Sequence, residues 1–340
     1  MSNFISVIAA VAAFLVTAIS GVFVIPLLKK LKFGQTILED GPTWHEGKQG
    51  TPTMGGIMIV AGVLFSVVVC VVLAIIFDVE IISHVRFKRY LILLIAGLVM
   101  SLLMAAVGLI DDYIKITNKR NLGLTAKQKT FLQLLISAGY LVAVFFSGVR
   151  DTYLPFVGFV SITSGFGLLF WPIALFFVYG FVNAVNLTDG IDGLASGVTL
   201  VVSCFFMLIS GALQTEALSV LSAALAGACA GFILWNAKPA RVFMGDTGSL
   251  FLGGMVVNFA FMTERPVYLL LVGIIYLVEA FSVIIQVAHF KRTGKRIFKM
   301  SPIHHHFEMC GWSEQKIVYV FSGVTLVASA IVFAAIMFNV

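Results

Sequence analysis

Apolar runs of about 20 residues, the length a helix needs to cross a bilayer, recur along this chain between short polar stretches. Ten such spans can be drawn, over residues 4–28, 54–77, 90–110, 130–149, 167–185, 194–211, 217–235, 248–263, 267–290 and 317–339. They predict an all-α polytopic membrane protein. A transmembrane β-barrel would need alternation in segments of about ten residues, which is missing. The spans over 194–211 and 248–263 are short and rich in glycine or serine, which burial inside a bundle tolerates. Between the fourth and fifth spans, Asp151–Ser164 carries Tyr153, Phe156, Val157, Phe159 and Val160 and predicts a short hairpin. No internal repeat, low-complexity tract or separate soluble domain interrupts the series, so residues 1–340 read as one integral membrane domain. The first run lacks a strong small-residue cleavage pattern and reads as a retained span.

Composition strengthens this. The chain is 60% hydrophobic and 11% charged, with mean hydropathy +1.06, whereas a soluble domain is about half apolar and about a quarter charged. Cys70, Cys204, Cys229 and Cys310 show no CxxC spacing, so neither a disulfide framework nor a zinc site is expected. The net charge of +6 matters loop by loop. Loops after the odd-numbered spans hold Lys29, Lys30, Lys32, Lys48, Lys115, Lys119, Arg120, Lys127, Lys129, Lys238, Arg241, Lys291, Arg292, Lys295, Arg296, Lys299 and Lys316. Those after the even-numbered spans hold Arg86, Lys88, Arg89, Arg150 and Arg265. The positive-inside rule then predicts external termini and a cytoplasmic face carrying the first group.

On that face fall Asp111, Asp112, Asp189, Asp192, Asp246 and the run His304, His305, His306. Segment 183–194 (NAVNLTDGIDGL) repeats Asn186, Asp189 and Asp192 every third residue, which one helical turn would bring to one side. A polar turn capping the next helix explains the residues too, but ionisable groups beside a membrane-length run are costly without a function. Asp111 and Asp112 end a span, against the helix dipole. Successive residues diverge by roughly 100°, so one can face a site and the other neighbouring backbone. Asp246, between two glycines, can cap the helix that follows or ligate Mg²⁺. Residues Lys48–Gly56 can form an anion-binding corner at a helix N-terminus or a simple entry turn. Three consecutive histidines fan out and suit phosphate oxygens better than one metal. Together these residues suit metal-assisted phosphoryl transfer at the membrane boundary.

The motifs GTPTMGG at 50–56, GLIDDY at 108–113, NLTDGIDGL at 186–194, FMGDTGS at 243–249 and PIHHHFE at 302–308 jointly resemble those of the phospho-N-acetylmuramoyl-pentapeptide transferases. These are a branch of the polyprenyl-phosphate N-acetylhexosamine-1-phosphate transferases. The resemblance implies ten transmembrane helices in a bacterial plasma membrane and a cytoplasmic site that needs Mg²⁺. It implies attack of undecaprenyl phosphate on UDP-MurNAc-pentapeptide, giving lipid I and UMP. By likeness Asp246 is the Mg²⁺ ligand, with Asn186 beside it, and Asp111 assists the lipid phosphate, with Asp112 adjacent. Lys48, Thr53, Asp189, Asn236 and Phe243 match nucleotide-side positions, Phe243 as a stacking surface for uracil, and Asp192 completes that motif. Lys115, Lys129, Ser249, Gln286 and the three histidines match further site positions. The implied partners are the two substrates, the bilayer and a second copy of the chain, with no nucleic acid.

Two rivals have discriminators. A sister enzyme transferring GlcNAc-1-phosphate would tend to interrupt the histidine run. A secondary transporter would place its carboxylates near mid-membrane and show an inverted repeat. For the transfer itself, direct attack competes with a two-step route through a phosphorylated aspartate such as Asp246.

Overall fold

The computed structural model describes residues 2–31, 33, 48–77, 87–118 and 123–338. Lys32, Arg86, Lys119 and Arg120, which entered the charge count above, lie outside them. The chain runs through α1 (Ser2–Lys30), α2 (Gly56–Ile76), α3 (Phe87–Thr117), α4 (Ala126–Phe146), α5 (Phe170–Thr188), α6 (Leu194–Ala212) and α7 (Glu216–Asn236). It continues through α8 (Gly245–Met262), α9 (Leu269–Val272), α10 (Ile274–Thr293), α11 (Ile303–Met309) and α12 (Glu314–Met337). Strands β1 (Asp151–Leu154) and β2 (Gly158–Ser161) form the expected hairpin between α4 and α5, pairing antiparallel with Asp151 opposite Ser161. Its far-end anchor is the Tyr153 N–H, which donates to Glu264 O at 3.0 Å.

Among the described residues, nine helices are long and apolar enough to cross a membrane. The tenth expected span, 248–263, forms as α8 but falls short on apolarity, because its first turn holds Asp246, Thr247 and Ser249. It has no need to face lipid: every residue from Thr247 to Met262 is buried. α3, α5 and α2 enclose α8, while α7 packs against α1, α6 and α2. The large apolar side chains Phe4, Val11, Val22 and Phe23 of α1 and Phe65, Val68 and Ile75 of α2 are exposed on the outside. That is the inverse of a water-soluble surface and suits hydrocarbon contact. The span expected over 267–290 is interrupted at Gly273, where α9 stops and α10 begins. A Cβ on Gly273 would sit 2.7 Å from the Phe181 ring, so the close approach of α5 accounts for glycine at the break.

No bulk hydrophobic force holds helices together in lipid, so close backbone approach must do more of the work. A Cβ on Gly108 of α3 would lie 2.2 Å from Asp246 O, and one on Gly56 of α2 would lie 2.2 Å from Gly248 Cα in α8. The α2 and α3 backbones thus touch the start of α8. Gly56→Ala should lower the melting temperature in detergent, at a cost of about 1–3 kcal/mol for an overpacked contact that backbone cannot relieve. Gly139→Ala, in α4 with nothing within 4 Å of a built Cβ, should leave the melting curve unchanged; equal melting of the two variants would contradict this packing.

Candidate active site

The close crossing of α3 and α8 brings three carboxylates together. One oxygen each from Asp111, Asp112 and Asp246 lie within 4.8 Å of one another. The two adjacent aspartates of α3 diverge. Asp112 turns onto the start of α8, where its Oδ1 accepts the Asp246 N–H at 3.2 Å and its Oδ2 accepts the Thr247 N–H at 3.0 Å and Thr247 Oγ1 at 2.8 Å. It caps a helix that has no side-chain cap of its own. Asp112 lies five residues before α3 ends at Thr117, so the span does not stop at the aspartates as expected, and its charge is favourable at the N-terminus of α8. Gly245, at φ 73, allows this, since a Cβ there would stand 2.6 Å from Asp112 Oδ2 and 2.9 Å from Thr53 Oγ1.

Asp111 faces the other way. Its Oδ1 accepts the Leu124 N–H at 2.8 Å, and Lys115 Nζ lies 2.6 Å from Oδ2. Lys115 also reaches Asp246 Oδ2 at 3.1 Å, joined there by Lys129 at 2.7 Å. Asn186 donates from Nδ2 to Asp246 Oδ1 at 2.9 Å and to Ser249 Oγ at 2.7 Å. Two ammonium groups therefore offset part of a charge of three carboxylates that are otherwise only 3% exposed at Asp111 and Asp112. Hard oxygen donors this close suit Mg²⁺, which takes one or two carboxylates and keeps its remaining waters or phosphate oxygens. Asp111, Asp112 and Asp246 could hold it, with Asn186 at the edge of the set.

Asn186, Asp189 and Asp192 do not share a helix face, because α5 ends at Thr188 and the chain turns through residues 189–193 before α6. Asn186 joins Asp246, while Asp192 joins a second charged group. There Lys48 Nζ lies 2.8 Å from both Asp192 Oδ1 and Glu314 Oε2, and Lys238 lies 2.8 Å from Glu314 Oε1. Asp192 Oδ2 accepts the Ala240 N–H at 3.0 Å. Glu314, at the start of α12, carried no motif in the sequence, and its fully used carboxylate was not foreseen. Asp189 lies between the two groups. Burial, then the charges of Asp246, Asp112 and Asp192, push its carboxyl up to about 8, against a hydrogen bond from the Gly245 backbone.

Several expected substrate contacts are engaged within the chain. Asn236 is buried, accepting the Gly193 N–H at 3.0 Å and donating to Val242 O at 2.9 Å. Gln286 accepts the N–H groups of Ile297 and Phe298, both at 3.0 Å, and donates to Phe298 O at 2.9 Å. The anion-binding corner anticipated at the entry to α2 is also spoken for: Gly55 N–H donates to Phe243 O at 2.8 Å and Gly56 N–H to Met244 O at 2.9 Å. Those bonds, with Phe243 N–H to Pro52 O at 2.8 Å, tie the half-buried Phe243 to the 52–56 segment, whose buried Thr53 comes close to Asp112 at Gly245. The histidines fan out as expected, but not all toward open space. His304 is fully buried with Nδ1 2.9 Å from Glu279 Oε2, so it cannot meet a phosphate in this arrangement. His305 Nδ1 lies 2.6 Å from Glu308 Oε2. His306 turns away, its Nδ1 accepting the Lys299 N–H at 3.1 Å.

With this geometry in view, comparison with known proteins defines the class. The glycosyl transferase family 4 model matches residues 94–264, from α3 to just beyond α8, taking in all three clustered carboxylates. A phospho-N-acetylmuramoyl-pentapeptide-transferase signature matches residues 48–60, from Lys48 into α2. A phospho-N-acetylmuramoyl-pentapeptide-transferase of Clostridioides difficile strain 630 is 46% identical over 333 residues, 96% of each chain. One from Carboxydothermus hydrogenoformans is 46% identical over 327 residues, 94% of this chain and 95% of that protein. One from Clostridium perfringens strain 13 is 45% identical over 330 residues, 97% and 98% of the two chains. The chain belongs to the phospho-N-acetylmuramoyl-pentapeptide-transferase family, as a multi-pass bacterial membrane protein.

Two outcomes follow from the geometry. Asp112→Ala should lower the unfolding free energy by about 1–2 kcal/mol, the worth of a helix cap, read as earlier thermal unfolding in detergent; unchanged unfolding would remove the capping role. Because a proton on Asp189 opposes a nearby cation, Mg²⁺ affinity measured calorimetrically should rise with pH up to about 8 and flatten above it. In Asp189→Asn that rise should vanish, and a persistent slope would assign it to another group.

Proposed function

We propose that this protein transfers phospho-MurNAc-pentapeptide from UDP-MurNAc-pentapeptide to undecaprenyl phosphate, yielding lipid I and UMP, a membrane step of peptidoglycan synthesis. What carries this reading is the convergence of Asp111, Asp112 and Asp246 within 4.8 Å, beside Lys115 and Lys129, at the helix ends of a membrane bundle. A diphosphate needs cationic contact, which Lys115 and Lys129 offer, and a lipid acceptor needs the bilayer edge, a location that the surrounding apolar helices support. The loop bias in lysine and arginine supports a cytoplasmic location, where the soluble nucleotide substrate is found. By family likeness, the working unit is proposed to be a homodimer.

In-line displacement at phosphorus depends on positioning and charge neutralisation more than on acid–base work. Asp111, Asp112 and Asp246, with Asn186 at their edge, would hold Mg²⁺, which would supply Lewis-acid stabilisation of the diphosphate. Lys115 and Lys129, now paired with the carboxylates, are placed to turn toward phosphate oxygens and lower the repulsion that an anionic nucleophile meets. A phosphate monoester has a second pKa of about 6, so the acceptor is largely ionised at neutral pH. Asp111 then orients it, or takes its last proton, in a direct attack. Phe243, half-buried above the 52–56 segment, offers a ring face for uracil, and Lys48 and Asp192 lie on that nucleotide side.

Assay of UMP release from purified protein tests the whole reading. UDP-MurNAc-pentapeptide with undecaprenyl phosphate and Mg²⁺ should give UMP, and UDP-GlcNAc should not. Asp246→Ala should lower turnover by at least about a thousandfold, as loss of a charge-stabilising group does. Retained Mg²⁺-dependent turnover in that variant would exclude Asp246 as a ligand.

A further inference from the structure

Glu279 has no part in the reaction above, yet it is a wholly buried carboxylate inside α10, and a charge at such depth needs a reason. Its Oε2 accepts the His304 backbone N–H at 3.5 Å and lies 2.9 Å from His304 Nδ1. An oxygen already accepting one N–H accepts the ring nitrogen's as well, which leaves Nε2 of a neutral ring as the bare acceptor. That Nε2 is buried and finds no hydrogen-bond partner. It is pressed against the site's own turn: a Cβ built on Gly190 would lie 2.2 Å from Nε2 and 2.5 Å from Cε1. The imidazole therefore occupies the space a side chain would need between Asp189 and Asp192.

Seven residues along the same helix, Gln286 holds the returning chain at Ile297 and Phe298, so α10 clamps that chain at two points about two turns apart. Docking α11 does not require the second clamp to be charged, because Ile303 is already buried beside it. What a carboxylate adds is direction. It fixes which ring nitrogen bears the proton and which edge of the ring meets Gly190.

Resting on the transferase reading, we propose that Glu279 is a positioning residue for the nucleotide side of the site, acting through His304 on the turn that carries Asp189 and Asp192. The turn in turn places Asp192, the partner of Lys48. Glu279 thus governs binding of the sugar nucleotide and not the lipid.

Steady-state kinetics with each substrate varied separately tests this. Glu279→Ala and Gly190→Ala should each raise KM for UDP-MurNAc-pentapeptide about tenfold, with little change in kcat or in KM for undecaprenyl phosphate. Glu279→Gln, which keeps an acceptor for Nδ1, should restore most of the affinity. The Gly190→Ala/His304→Ala pair should bind no worse than His304→Ala alone, since the added methyl then has room. A fall in kcat at constant KM, an equal rise in both KM values, or additive losses in the pair would overturn the proposal. Gly190 is exposed, so its variant reports on the contact even where Glu279→Ala does not fold. Wild-type protein that releases no UMP would refute the reaction; active wild type with indifferent variants would refute the positioning role.

Discussion

The carboxylate of Asp112 on the first amides of α8 is the constraint on which the site depends. Two adjacent like charges buried in one helix are electrostatically unfavourable. α3 resolves this by giving one of them to the N-terminus of another helix. The contact needs the two backbones close together, and Gly108 and Gly245 remove the side chains that would prevent it. Once Asp112 is fixed on α8, the rotation between successive residues leaves Asp111 on the Lys115 side, opposite Asp246. The triad is thus a consequence of a helix cap, and its charge is what Lys115 and Lys129 are there to balance.

Around this triad the charges fall into two groups with the same internal logic. Lys115 and Lys129 hold Asp111 and Asp246, and Lys48 and Lys238 hold Asp192 and Glu314. Half-buried pairs of this kind contribute little net stability, since desolvation offsets most of the attraction. They do hold lysines at chosen places, Lys48 and Lys129 largely away from solvent and Lys238 at the surface. An anion entering either group competes with carboxylates already in position, so it exchanges partners instead of creating a new cationic pocket.

Much of this was legible in the sequence, for reasons that also explain the failures. Apolar run length located the helices, and the aromatic and valine residues between 153 and 160 located the hairpin, because both are local properties. The divergence of Asp111 and Asp112 followed from helix geometry alone. The supposed common face of Asn186, Asp189 and Asp192 failed because the helix stops at Thr188, and a three-residue spacing says nothing once the chain leaves helical geometry. The uninterrupted span drawn over 267–290 missed the break at Gly273, where the Phe181 ring of another helix leaves no room for a side chain. Glu279 and Glu314 were invisible because neither sits in a polar motif. Their significance comes from His304, Lys48 and Lys238, which arrive from distant parts of the chain.

The same comparison separates the polar residues of the site by physical role. Irregular backbone packed inside protein persists where its N–H and C=O groups are satisfied, and three such stretches among the described residues meet at this site. The turn at 190–193 is held by Asn236 and Glu314, the connection at 237–244 by Asn236 and Asp192, and the segment at 297–304 by Gln286 and Glu279. These side chains are engaged before any substrate arrives, so a polar residue within a motif is not thereby a substrate contact. The groups proposed to meet the reactants are the carboxylate triad, its two lysines, Lys48 and the Phe243 ring. Motif chemistry therefore divides between residues that meet the reactants and residues that let an unwound chain exist beside a bilayer, and the reacting groups depend on the second set for their placement.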